Sequence, residues 1–228
     1  MAPATALEIE RPEPRWPAVI AAFAAVALHF ALPPSLRFGP PWTLASLVGV
    51  LVGAAWFTRR FGRHKANNIF GFAILGVLAA GLVFGVASLI FGLVYHKAEA
   101  GDLLRSAAIL WMTNVIVFAT CYWRLDAGGP NARERREAHT EGAFLFPQMT
   151  FPAPNATDVT IAEEEGWRPH FIDYLFVAFN TSTAFSPTDV PVLSKWAKMS
   201  MMVQATISFT TVVLIAARAV NILPLTGP

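Results

Sequence analysis

Charge is scarce in this sequence, and the shortage excludes a soluble enzyme. Only 14% of the 228 residues are Asp, Glu, Lys or Arg, where a soluble domain carries roughly 25%. Cysteine is nearly absent too. The lone Cys121 lies in an apolar run, so neither an intrachain disulfide nor a thiolate metal site can form within one chain. The five histidines, His29, His64, His96, His139 and His170, include no pair at a ligand spacing such as i, i+4. No metal and no cofactor is expected. A net charge of +2 is too small to point to nucleic acid. The first 15 residues mix Glu8, Glu10 and Glu13 with Arg11 and Arg15, unlike the positive start of a cleaved signal peptide, and the first apolar run therefore reads as a retained helix.

What is present is apolar sequence in long stretches. Charge-free runs cover 16–36, 38–58, 66–96, 106–123, 174–188 and 199–217, and the fifth is the shortest at 15 residues. A helix needs about 20 apolar residues to cross about 30 Å of hydrocarbon. Five runs meet that length and the 174–188 run does not. This predicts an all-α membrane protein with five transmembrane helices and one re-entrant, pore-type half-helix.

After a polar tail over 1–15, residues 16–95 read as three peripheral membrane helices. The first, about Trp16 to Leu32, ends at Pro33-Pro34, and the second, about Trp42 to Thr58, follows Gly39-Pro40-Pro41. The third, about Asn67 to Tyr95, carries Gly81, Gly85, Ser88 and Gly92 on one stripe, and Gly49 and Gly53 repeat the idea on the second. Small residues at such steps let helix backbones approach closely in lipid. A fourth helix, 103–123, holds Thr113 and Asn114, read as interhelical hydrogen bonders. The connector 125–168 is rich in proline and mixed charge and reads as extended and water-exposed. Its apolar patch Phe144-Leu145-Phe146-Pro147 is expected to dock on the membrane surface or a neighbouring subunit.

The module 103–221 then closes with a half-helix over 169–183, a tight turn over 184–189 and an inner helix over 196–221. A half-helix ending inside a membrane is tolerated only where its loose backbone is buried in protein or lines water, so the segment argues for a pathway or a site. Asp173 and Asp189 do not make a hydrolytic pair, because the second lies outside the apolar run and no nucleophile–base pair accompanies them. The protein is not read as an enzyme. On the inner helix Ser200, Gln204, Ser208, Thr211, Arg218 and Asn221 share one face. That face either lines water or bonds to neighbouring helices.

The stretch from Phe171 through Asn180-Thr181-Ser182-Thr183-Ala184-Phe185-Ser186-Pro187-Thr188-Asp189 resembles the pore helix and filter of tetrameric potassium-type channels, whose pattern is T-x-T-T-V-G-Y-G-D. Thr181, Thr183 and Asp189 fall on the matching threonines and aspartate. Both filter glycines are missing here. Pro187 fixes its own φ and pushes Ser186 to extended geometry, which excludes the carbonyl ladder that dehydrates K⁺. The T-A-F-S-P-T-D turn and the ending Ala217-Arg218-Ala219-Val220-Asn221-Ile222-Leu223 are also similar to a group of bacterial membrane proteins, some labelled ion-channel-like. The likeness to that group brings no activity with it; the pore-module resemblance implies an oligomeric, cation-conducting channel, a tetramer in preference to a dimer, passing monovalent or divalent cations, in the bacterial inner membrane. The alternative is a non-conducting scaffold or partner-binding protein that keeps the pore-loop fold.

With a re-entrant segment, the tail, the 59–65 loop, the connector and the 189–198 turn share one side, which holds 13 of the 17 basic residues. The positive-inside rule then predicts a cytosolic N-terminus and a cytosolic filter-like turn.

Overall fold

The computed structural model describes residues 13–37, 39–94, 100–135, 142–149, 168–184 and 190–222, with side chains in the last helix described up to Ala217. It is all-helical. The helices are α1 (Trp16–Ala31), α2 (Pro41–Arg60), α3 (His64–Val94), α4 (Ala100–Leu125), the single turn α5 (Pro130–Arg133), α6 (Phe171–Ala184) and α7 (Lys195–Ile222). Among the described residues there is no strand, only an isolated antiparallel bridge between Phe144 and Val192.

Among the described residues four helices, α2, α3, α4 and α7, are long and apolar enough to cross a membrane. At about 1.5 Å per residue, the 16-residue α1 and the 14-residue α6 fall short of the hydrocarbon thickness. Proline sets where two of the helices begin: Pro17 lies in the first turn of α1 and Pro41 opens α2. At such positions its missing N–H leaves no bond unmade. α2 ends in a Schellman turn, with Gly62 at φ 66°, Gly62 N–H donating to the Arg59 carbonyl and Arg63 N–H to that of Thr58. The basic cluster 59–65 is this turn, and it leads directly into α3.

α4 is the axis of the bundle, touching α1, α3, α6 and α7, while α2 packs on α1 and α3. One apolar core joins α1–α3 to the first half of α4, and a second joins the C-terminal half of α4 to α6, to residues 143–146 and to the start of α7.

Two expectations are corrected here. The start of the connector is not water-exposed: Asp126, Asn131, Arg133, Phe144 and Phe146 are buried. The patch Phe144-Leu145-Phe146 docks on its own chain. Leu145 N–H donates to Pro191 (2.9 Å) and Leu193 N–H to Ala143 (2.8 Å), and the Phe144 ring meets Tyr122, Tyr174 and Trp196. An apolar patch that finds aromatic partners on three flanking elements leaves water there in preference to docking elsewhere. Within the small-residue stripe, a side chain at Gly85 would come within 2.6 Å of Leu110 on α4, whereas Gly49, Gly53 and Gly81 face open space. Close helix approach therefore rests on Gly85 alone of these four.

Candidate functional site

The site is built around α6. Phe171, Tyr174, Val177, Ala178, Thr181 and Ser182 are its buried face, wedged between α4 and α7. Pro169 precedes the helix instead of opening it. His170 is the cap: its N–H donates to Asp173 Oδ2 at 2.7 Å, while Asp173 N–H donates back to the His170 carbonyl at 3.1 Å. The Asp173 carboxylate thus makes one half of a capping box, and this gives Asp173 a structural task.

The C-terminal end of α6 leaves carbonyls without an intrahelical partner. The Ser182 carbonyl is taken by Ser208 Oγ at 2.6 Å and by the Trp111 indole N–H at 3.3 Å. Gln204 on α7 saturates the same region. Its Nε2 donates to the Ala178 carbonyl at 2.6 Å and to Ser182 Oγ at 2.8 Å. Its Oε1 accepts from Tyr122 at 2.5 Å, and its backbone carbonyl accepts from Asn114 Nδ2 at 3.1 Å. Three helices are thus tied at one glutamine. Asn114 bridges helices as its sequence position predicts, whereas Thr113 bonds back to Ile109 within α4.

Both flanks of α6 return to one end of α4. The Phe171 ring stands edge-on to Trp123 at 5.8 Å, and Val190 is buried in the same core as Phe171, Phe144 and Tyr174. The far end of α6 sits instead beside Trp111, twelve residues and about 18 Å down α4 from Trp123. Five residues lie between Ala184 and Val190, and the six Cα steps that join them span about 20 Å at most.

A buried ionic knot closes that end. Asp126, fully buried, accepts from Tyr174 Oη at 2.6 Å and from Ala143 N–H. Arg133 donates from Nη1 to the carbonyls of Trp123 and Asp126 at 2.9 Å, and its Nη2 lies 3.2 Å from Glu13. Glu13 also accepts from the Trp123 indole. Arg15 and Arg59 both pair with Glu134, at 3.0 and 3.2 Å. Burial lowers the Arg15 guanidinium from its ordinary value, and Glu134 opposes the shift. The N-terminal segment, the α2–α3 turn, the start of the connector and residues 190–193 therefore meet at one end of the bundle.

Of the residues singled out by sequence, Thr181 is buried and bonded within its helix to Val177, while Thr183 and Ala184 are exposed at the end of α6. Phe185, Ser186, Pro187, Thr188 and Asp189 lie outside the described residues, as do the side chains of Arg218 and Asn221. Ser200 is half-buried; Gln204, Ser208 and Thr211 are 0% exposed, and Gln204 and Ser208 bond to α6. Sequence reasoning passed over Tyr122, Asp126, Arg133 and Ser182 as partners. The available signal was an aspartate directly after a span, followed by Gly128-Gly129, a reversal that brings the chain back onto that span. Gly129, at φ 85°, passes so close to the Arg124 carbonyl that a side chain would stand 2.7 Å from it. Comparison with protein-family models, with curated proteins and with solved structures finds no match for this chain.

Proposed function

We propose that the chain is one protomer of an oligomeric, cation-conducting channel, with α1 counted as a fifth span and α6 as a re-entrant half-helix. One observation carries the reading: α6 ends beside Trp111, about half-way along α4, with Thr183 and Ala184 exposed. Loose backbone at that depth must be buried in protein or line water. Neighbouring copies that bring their α6 ends together supply both. The outer face of α6, with Ile172, Phe176 and Phe179 about half exposed at 58, 51 and 48%, is the surface they would cover, and four copies around a cyclic axis close it.

In this arrangement Thr183, Ser186 and Thr188 offer oxygens to the ion, and a ring of Asp189 carboxylates concentrates cations at the mouth. The absence of filter glycines argues against K⁺ selectivity by a carbonyl ladder. The basic residues gathered at the α6-flanking end support a cytosolic placement of that end in a bacterial inner membrane, with the turn entering from the cytosolic face. In liposomes loaded with the purified protein, Asp189→Asn is expected to lower cation flux with assembly intact. Unchanged flux, or no flux from the parent protein, removes the channel.

A second reading has its own observation in favour. Gln204 and Ser208 bond to α6 and α4 and the buried Thr211 bonds back within α7, so these polar side chains of α7 are used inside the protomer and not at a central axis. A scaffold that keeps the pore-loop fold without conducting fits that use. Dimers with their α6 ends apart favour this reading, and cyclic tetramers with the ends converging favour the channel.

A further inference from the structure

A second feature lies away from α6, where α1, α2, α3 and α4 surround a cavity of about 430 Å³. Its upper end carries Arg15, Arg59 and Arg124, and its body is lined by small and apolar residues including Gly49, Val52, Gly53 and Ile74. Arg124 is 8% exposed. Its Nε and Nη1 have no hydrogen-bond acceptor among the described residues, and its guanidinium lies between the faces of Trp123 and Phe72, 5.2 and 5.9 Å from the ring centroids. The seat is shaped for it: any side chain at Gly71 would overlap the guanidinium, with Nη2 only 1.7 Å from a built Cβ. Arg15 Nε and Arg59 Nη1 are buried and bare as well, because Glu134 receives only the Nη2 of each.

Among the described residues the charges do not balance: Arg15, Arg59, Arg124 and Arg133 converge on Glu13, Glu134 and Asp126, and no carboxylate forms an ion pair with Arg124. A buried, unpaired guanidinium is costly, and an incoming anion with several oxygens would answer its bare donors and those of Arg15 and Arg59 together. The cavity's depth says what the anion is attached to. From Arg59 to Gly49 along α2 is about 15 Å, the half-thickness of the hydrocarbon core. Gly49 and Gly53 leave that length open, since a side chain on either would meet nothing within 4 Å.

We propose that this cavity is a binding site for an anionic amphiphile, with a phosphate or carboxylate head on Arg124, Arg15 and Arg59 and an acyl chain between α1, α2 and α3. The site is independent of conduction and stands whether or not the protein is a channel.

Native mass spectrometry of the full chain in detergent tests it, with phosphatidylglycerol, phosphatidylcholine of the same chains and inorganic phosphate as probes. The expected result is at least tenfold tighter binding of phosphatidylglycerol than of phosphatidylcholine. Arg124→Gln is expected to remove that preference and the exposed Arg60→Gln to leave it intact. Gly53→Leu, which fills the acyl channel without touching an arginine, is expected to lower phosphatidylglycerol binding at least tenfold and to serve where Arg124→Gln does not fold. Equal binding of the two lipids by the parent protein overturns the proposal. Millimolar phosphate that displaces the lipid, with Gly53→Leu binding as the parent does, overturns the amphiphile in favour of a free-anion site.

Discussion

At the scale of the residue, the side chain that decides most is Gln204. Its side chain makes three hydrogen bonds, to Ala178, Ser182 and Tyr122, and its backbone carbonyl accepts a fourth from Asn114, all fully buried. Interhelical bonds in membranes average about 0.6 kcal/mol and reach about 1.7, so Gln204→Leu is expected to cost about 1–2 kcal/mol. Unfolding in mixed detergent checks the value, and a cycle with Tyr122→Phe should show a coupling of at least about 0.5 kcal/mol. Asp126 is the counterpart in the ionic knot. Replacing it with Ala strands the Tyr174 hydroxyl and the Ala143 N–H in a dry place, a loss of about 2–3 kcal/mol. Hydrogen exchange is expected to rise at 143–146, which that carboxylate pins, before it rises in α3. The polar stripe containing Gln204 was visible in the sequence because its helical spacing is a one-dimensional property. Its use was not, since only tertiary packing decides whether such a stripe meets an axis or a neighbouring helix. Asp126 and Arg133 were harder still, because a charge in a loop reads as solvated until the loop is seen to fold back.

At the scale of the element, the helices followed from the gaps between charges, and their ends agree with the sequence reading to within a few residues. Proline and glycine punctuation accounts for that agreement at α1 and α2. The glycine stripe was legible as a pattern, but of Gly49, Gly53, Gly81 and Gly85 only Gly85 meets a neighbouring helix closely. Two substitutions separate the cases. Gly85→Val presses on Leu110 and is expected to cost about 1–3 kcal/mol, and adding Leu110→Ala should make the pair cost less than the two changes summed. Gly53→Ala meets open space and is expected to be neutral or stabilising by up to about 1 kcal/mol. Thermal unfolding in detergent reads both. A Gly53→Ala loss equal to that of Gly85→Val would mean that another subunit covers α2.

At the scale of the whole molecule, scarcity of charge marks a membrane protein, and the few charges mark one end of it. Arg15, Arg59, Arg133, Glu13 and Glu134 come from segments up to about 120 residues apart in sequence and pair there. With Leu193 N–H held to the Ala143 carbonyl, this end is also what the re-entrant α6 proposed above requires; a crossing by residues 171–190 would carry residues 190–193 away from Phe144. On the channel reading, assembly rests on surfaces between chains, which the sequence patterns as exposed apolar residues on α6 and α7.

Cysteine labelling at the two flanks of α6 tests the central claim most directly. His170 and Pro191 are both exposed, and in a Cys121→Ser background each is replaced by cysteine in turn. An impermeant maleimide is then applied to intact cells and to inside-out vesicles. A re-entrant α6 predicts that both positions react from the same face, the cytosolic one. Reaction of the two from opposite faces would make residues 171–190 a membrane crossing and contradict the account.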